Sequence, residues 1–461
     1  MTTTKNNEHK KLNFPNEQEQ SQACLNSAEH EKNQGRKVLN VPNKQEQNQT
    51  CLDSAEREGL RPKGNVPNLR FKEFEGEWEK CILGDITENF NLRNKDKIQY
   101  PMFSVTNDRG FVPQSEQFEG RDMVGEDIKA YKIIHANDFA YNPARINVGS
   151  IAMYTGEKPC MISSLYVCFK TTKEVNNEWL MQFLKTPKMN YYYKVNGEGG
   201  VRVYLFYPNF ARIRMSIPKI EEQKKIAKLL NLIDERIATQ NKIIDKLQSL
   251  IKGMEDNLLD NPLWEKTYLR SFMQFFPTNS LSWEQLSYKE GAIRNLHYGL
   301  IHGLQTRGIN SASLPMIKNE AIPKQYTLCQ VGDVAFADAS EDTDEIAKSV
   351  EFVDTIEGET ICGLHTIHGR DIKNRTVVGF KGFAFNSRYF HNQIKRLAQG
   401  TKVFSITANN LSSCYVYLPD LDTQTVIVRL LKSYEEQLII NRMILKQYEK
   451  QKQYLLRQMF I

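Results

Sequence analysis

The sequence has no run of roughly 20 apolar residues, the length a helix needs to cross a bilayer, which excludes a helical membrane protein. No apolar segment follows the first charges of Met1–Lys11, so a secretory signal pattern is absent. The eight cysteines (24, 51, 81, 160, 168, 329, 362 and 414) form no Cys-x-x-Cys pair and no dense framework, which points to a reduced, cytoplasmic chain. No Gly-x4-Gly-Lys-Ser/Thr stretch occurs, which removes a P-loop for ATP. Neither sign of charge dominates: 61 Lys and Arg against 55 Asp and Glu leave a net +6. That excess permits a polyanionic partner without demanding one.

What is present is repetition. The 461 residues suffice for two or three domains. In the first 66, Leu12-Asn13-Phe14-Pro15-Asn16 recurs as Leu39-Asn40-Val41-Pro42-Asn43, and Cys24-Leu25-Asn26-Ser27-Ala28-Glu29 as Cys51-Leu52-Asp53-Ser54-Ala55-Glu56. Both pairs lie 27 positions apart, the mark of a tandem duplication. Leu, Ile, Val and Phe fill only about nine of these 66 positions, too few to offset the entropy of ordering, so a disordered leader is expected over 1–66.

The remainder is one unit written twice, about 200 residues apart. Trp78-Glu79-Lys80-Cys81-Ile82-Leu83 is matched with Trp283-Glu284-Gln285-Leu286. Ala136-Asn137-Asp138-Phe139-Ala140-Tyr141 is matched with Val331-Gly332-Asp333-Val334-Ala335-Phe336. Gly200-Val201-Arg202-Val203 answers Gly400-Thr401-Lys402-Val403, and each copy closes with Asn-x8-Pro, at Asn209–Pro218 and Asn410–Pro419. Short β-branched and aromatic runs punctuated by Gly, Pro, Asn and Asp predict strand-rich α+β structure, with one helix per copy at 177–194 and 387–398.

A heptad pattern follows each closing proline. Ile226, Ile233, Gln240, Leu247 and Met254 make one seam; Leu230, Ile237, Ile244 and Ile251 make the other. The second copy has Ile427, Tyr434, Asn441, Tyr448 and Leu455 beside Leu431, Leu438, Leu445, Lys452 and Met459. Such a repeat turns one stripe toward a partner helix, and residues 220–255 would make a rod of roughly 50 Å. Gln240 and Asn441 fall at the midpoints of their stripes, so rods packed parallel, or antiparallel with level midpoints, would bring the two amides together. The connection at 256–282 feeds the chain into the second copy at the far end of the first rod, which favours the antiparallel arrangement.

Two strand-rich copies, each followed by a long helix, with Val66-Pro67-Asn68-Leu69-Arg70-Phe71 at the start, Tyr141-Asn142-Pro143-Ala144-Arg145 and Gly149-Ser150-Ile151 within, form a recognisable set. Ile217-Pro218-Lys219-Ile220-Glu221-Glu222-Gln223-Lys224-Lys225-Ile226, Leu247-Gln248-Ser249-Leu250-Ile251-Lys252-Gly253-Met254 and the tail Gln453–Phe460 complete it. From about residue 66 onward the chain resembles the specificity subunit of type I restriction-modification systems. The second copy departs further, with Leu418-Pro419-Asp420-Leu421-Asp422-Thr423-Gln424 at its helix start and Ala-Asp-Ala where the first has Asn-Pro-Ala. The resemblance implies two target recognition domains (67–219 and 262–419), each reading half of a split double-stranded DNA sequence, and two conserved spacer helices (220–261 and 420–461). They would form a pseudo-twofold, antiparallel coiled coil that docks two methyltransferase subunits, with restriction-translocase subunits joining. The alternative is a coiled-coil adaptor that bridges protein partners without DNA.

A non-catalytic subunit without cofactors is expected. Tyr141-Asn142-Pro143-Ala144 lacks the second Pro and the stacking ring of an amino-methyltransferase clamp, and Glu77-Trp78-Glu79-Lys80 lacks the Pro-Asp half of a nuclease motif. Cys362, His365 and His368 offer three ligands in seven residues, but a structural zinc needs a fourth and none is spaced to give it, so no metal is expected. Phosphates call for Lys or Arg, and base edges for Arg, Asn or Gln. Cations beside glycines, amides or hydroxyls on loops therefore nominate Arg145, Asn147, Ser150, Lys158 and Arg202 in the first copy, and Arg370, Lys373, Arg375, Arg388 and Lys402 in the second.

Overall fold

The structure, a computed structural model, describes residues 64–117, 128–199, 204–304, 307–354, 356 and 358–461. The expected disordered leader falls, up to residue 63, outside the described residues. Residues 69–461 form one compact unit of mixed helix and sheet.

Each closing proline stands between a strand and a long helix. In the first copy Arg214–Ile217 pairs antiparallel with Glu79–Ile82; in the second Tyr415–Leu418 pairs with Glu265–Tyr268. Glu79 faces Ile217 as Glu265 faces Leu418, and the Leu83 amide donates to Ile213 O as the Leu269 amide does to Cys414 O. The partner of Trp78-Glu79-Lys80 is therefore Trp264-Glu265-Lys266, not Trp283-Glu284-Gln285, which forms a short 3-10 turn (Trp283–Gln285) elsewhere. Spacing alone pairs Trp78 with Trp283; strand register sets the correspondence at Trp264.

Behind each pair lies a sheet of matching order. In the first copy Thr87–Phe90, Val167–Thr171, Phe139–Tyr141 and Ile151–Met153 run antiparallel in that spatial order. In the second, Met273–Phe276, Thr366–Asp371, Val334–Ala337 and Ser349–Phe352 repeat it, with Gly308–Ile309 added in parallel at the edge. The helix expected at 177–194 is two, Asn177–Leu184 and Pro187–Val195, because Pro187 cannot continue the first and instead opens the second beneath the Thr186 cap. Its counterpart is Arg388–Leu397, capped by Ser387.

The long helices are Ile220–Leu259, 40 residues, and Leu421–Gln458, 38 residues, each about 60 Å long. Each starts on the same latch. Gln223 accepts from the Asn176 amide (2.7 Å) and donates to the carbonyls of Glu174 (3.1 Å) and Pro218 (2.9 Å). Gln424 does the same, with Val377 N (3.0 Å), Arg375 O (3.0 Å) and Pro419 O (3.0 Å). Both side chains are buried, so each satisfies three backbone groups that would otherwise lose water unpaired.

The helices lie side by side and run in opposite directions. Ile226, Leu230 and Ile233, near the start of the first, join Leu455, Met459 and Phe460, from the end of the second, in a core with Trp78, Trp179, Phe183 and Tyr193. Leu259, from the end of the first, and Ile427 and Leu431, from the start of the second, join Phe336, Phe380 and Phe390. Midway, Ile244, Ile251 and Leu438 are buried together, with Leu247, Tyr434 and Leu445 half-buried against them. Ile237 packs half-buried on the first core and Tyr448 is half-buried. At the centre the Gln240 amide donates to Asn441 Oδ1 (2.6 Å) and to Asn441 O (3.2 Å), while Asn441 donates to Gln437 O (2.7 Å). Lys452, on the expected seam, instead reaches the Asp234 carboxylate.

Candidate nucleic-acid interface

In the first copy the chain leaves strand Phe139–Tyr141 through a tight loop. Asn142 Oδ1 accepts from the Ala144 amide (3.0 Å), and the Arg145 carbonyl accepts from Val148 N (3.2 Å) and Ser150 N (3.1 Å). Gly149, at φ +101°, closes the turn Ile146–Val148. Arg145 stands exposed at the tip and Asn147 is half-buried beside it. Ser150 does not reach the surface: it is buried, and its hydroxyl donates to Val105 O (2.8 Å), so it fastens the loop rather than contacting a ligand. Lys158 is exposed on a turn held by the Tyr154 hydroxyl, which donates to the Lys158 carbonyl (2.7 Å). Arg202 lies outside the described residues.

In the second copy the nominated cations divide. Arg370 is committed inward: Nε and Nη2 fork onto the two oxygens of buried Asp333 at 2.8 and 2.7 Å, and Nη2 also donates to Leu328 O. It is a structural partner of Asp333 rather than a surface reader, because removing either leaves a buried or half-buried charge unpaired. Arg375 pairs with Glu265 at 2.7 Å on the surface. Lys373 is exposed on a turn whose amides are held by Asp371. Lys402 is exposed on a loop closed by reciprocal Gln399–Ser405 hydrogen bonds. There Gly400, at φ +126°, has a Cβ position only 2.0 Å from Val403 O, which any side chain would overlap.

Arg388 opens onto a cleft of about 750 Å³ between the long helices and the second copy. Lys252, Lys348, Lys395 and Arg442 also line it. These four, not nominated from the sequence, share the cleft with Glu255, Asp256, Asp344, Glu345 and Glu435; Lys348 pairs with Glu345 at 2.9 Å and Lys395 with Asp344. Arg307 joins the helices at this cleft, 3.2 Å from Glu255 and 3.7 Å from Glu435. Burial pushes both carboxyls up, Arg307 opposing; Glu435 reaches about 7, with Glu255 adding to its rise.

The segment Cys362–His368, from which no metal was expected, folds differently from its spacing. His365 turns outward at φ +54° onto Asp338 (3.0 Å), while His368 faces inward to Cys362 and to Cys329, 33 residues upstream. These three are the cluster with metal-ligand character among the described residues. No described helix is long and apolar enough to cross a membrane.

Residues 75–249 match the family described as the type I restriction modification DNA specificity domain. Two chains of Methanocaldococcus jannaschii, named as the MjaX and MjaVIII type I restriction enzyme specificity subunits, are each 24% identical to this one. The first match covers 84% of this chain and 94% of the relative, the second 83% and 93%. The crystal structure of the S subunit of a type I restriction-modification system from M. genitalium shares the fold, at 12% identity and TM-score 0.52 over 86% of this chain and 99% of that one. With a strand-rich unit repeated on latched, opposed helices, the chain is similar over most of its length to specificity subunits of type I restriction-modification systems, and residues 75–249 match their DNA specificity domain.

Proposed function

We propose that this chain is the non-catalytic DNA-reading subunit of a type I restriction-modification complex. Each copy of the strand-rich unit, 67–219 and 262–419, acts as a target recognition domain for one half of a bipartite double-stranded DNA sequence. The helices act as a coiled-coil ruler with pseudo-twofold symmetry, and fix the gap between the half-sites. The single observation that carries this reading is the paired latch: Gln223 and Gln424 fasten equivalent units to opposite ends of the same helix pair. Two readers held at a set distance suit two short words separated by unread bases.

Arg145, Asn147 and Lys158 in the first domain, and Lys373, Arg388 and Lys402 in the second, are the proposed contacts, with Arg202 at the first domain's glycine loop and Arg375 at the rim. Leu232, Leu250, Leu430, Ile440 and Met443 remain exposed on the long helices and would receive the methyltransferase subunits. Restriction-translocase subunits would join that assembly. Footprinting of the chain with its methyltransferase partners tests the reading. Two protected patches about one helical turn apart are expected; one continuous patch, or none, would replace it with a protein adaptor.

A further inference from the structure

The two copies share a backbone frame at the base of the central strand, and differ in what fills it. Asp138 and Asp333 each accept from the amide three residues earlier, His135 and Gln330, both at 2.8 Å. The residues just before each, Asn137 and Gly332, both have positive φ. Register then aligns Ala140, opposite Cys168, with Ala335, opposite His368. Ile134 pairs with Cys160, and Cys329 donates its amide to Thr360 O (2.8 Å), so Ile134 matches Cys329 and Ile162 matches Cys362. The first copy packs this junction with Ile134, Ile162 and Cys168, all fully buried. In the second the same three places hold Cys329, Cys362 and His368, also buried.

That substitution is not a neutral repacking. It exchanges two branched apolar side chains for two thiols and a thiol for an imidazole, and so puts polar atoms where the fold demonstrably accepts hydrocarbon. The ligand atoms of all three lie within 4.8 Å of one another. The two sulfurs are 3.6 Å apart, and two thiolates on one tetrahedral Zn²⁺, at about 2.3 Å each, stand about 3.8 Å apart. Asp333 completes the arrangement. Arg370 forks onto its two oxygens, Nε at 2.8 Å and Nη2 at 2.7 Å, an ion pair that keeps the carboxylate charged. An ionised carboxylate only accepts, so His368 Nε2, at 2.7 Å, must be the donor, which leaves Nδ1 with its lone pair. A carboxylate that orients a histidine in this way is the usual outer support of a zinc-bound imidazole.

We propose that Cys329, Cys362 and His368 bind a single Zn²⁺ ion, with Asp333 fixing the histidine. Two thiolates neutralise the ion and Arg370 neutralises Asp333, so the buried assembly carries no net charge. Three protein ligands leave one corner of the tetrahedron to a water molecule. The ion ties strand Glu359–Cys362, in the small sheet with Ile293–Leu296, to strand Thr366–Asp371 in the five-stranded sheet, and both to the segment entering Val334–Ala337. It replaces by coordination the contact that the first copy makes with isoleucines.

The test is metal content and cobalt spectroscopy on the full chain, purified under reducing conditions without chelator. The wild type should carry about one zinc per chain, and Co²⁺ exchange should give a near-ultraviolet thiolate-to-cobalt band with the visible bands of a tetrahedral site. Cys329→Ile with Cys362→Ile, the residues of the first copy, should fold and lose at least about tenfold of the zinc together with the cobalt spectrum. His368→Cys should keep zinc and strengthen the thiolate band, a response that a merely packed histidine would not give, and Cys160→Ala should change neither readout. Wild-type zinc below about a tenth per chain, zinc retained by the double variant, or a Cys329–Cys362 disulfide in the purified chain would each overturn the site.

Discussion

The same junction solved twice, with Ile134, Ile162 and Cys168 in one copy and Cys329, Cys362 and His368 in the other, separates what the repeated frame needs from what each copy has added. The frame needs the aspartate that accepts from the amide three residues back, the strand order and the glutamine latch; these recur atom for atom. The interior is free to change. Even the shared aspartate lives differently: burial pushes the Asp138 carboxyl up, with only partial relief from the His135 amide, whereas Asp333 is held down by Arg370 and His368. Outside the cores the copies also grip the helices differently. The first donates from Gln182 to Asn231 (3.0 Å) and Asp234 (2.8 Å); the second inserts Arg307 between two carboxyls.

The largest expected difference between the copies is at these aspartates. Asp333→Asn should cost about 3–4 kcal/mol, because it strands Arg370 and His368, while Asp138→Asn should cost about 1 kcal/mol or less. Urea unfolding of both variants decides it, and equal losses would break the comparison.

Next comes Glu435. Its folded carboxyl is raised to about 7 against an unfolded value of about 4.3, so its stabilising share is fully present below about pH 4.3 and is lost as pH rises through about 7. Between about pH 5 and pH 8 the wild type should lose up to about 3 kcal/mol from this group, and Glu435→Gln should flatten that slope in thermal melts. An unchanged slope would mean that Arg307 fully compensates.

The latches should behave as equals: Gln223→Ala and Gln424→Ala should each cost about 2 kcal/mol, to within about 0.5. A markedly cheaper loss on one side would show that the copies are not fastened alike. A double-mutant cycle on Gln240→Leu and Asn441→Leu should then give a coupling of about 1 kcal/mol, where additivity would deny the amide contact any role. Smallest in stability terms, Lys402→Ala should leave melting unchanged and reduce the salt slope of DNA binding by about one, for all sequences alike.

Periodicity carried the long helices into view, because a 3.5-residue stripe sustained over 30 or more residues has few other readings. The apolar positions Ile226, Leu230, Ile233, Ile244, Ile251, Ile427, Leu431, Leu438 and Leu455 are buried, and Gln240 meets Asn441. Spacing failed where insertions shift the repeat: the second copy has extra residues between its strands Met273–Phe276 and Val334–Ala337, so Trp283, inside that insertion, stood at a plausible distance while Trp264 held the register. Surface nominations failed for a different reason. Ser150 and Arg370 each follow a glycine in the sequence, and only the neighbours that tertiary structure supplies, Val105 and Asp333, draw them inward. Cys329 was invisible for the same cause, since nothing in a sequence tells which distant thiol folds against a histidine.

One packing detail bears on how the molecule is made. The aromatic rings of Trp179 and Phe183 close against Phe460, at 5.8 Å from each, and that ring is translated 277 residues after Phe183. At about 5–20 residues per second the ribosome takes roughly 14–55 s to cover that interval. The half synthesised first must therefore wait, its apolar interior open, for a strand of polypeptide still to be made, and a chaperone that shields Trp179 during that delay would act at the most vulnerable moment of biogenesis.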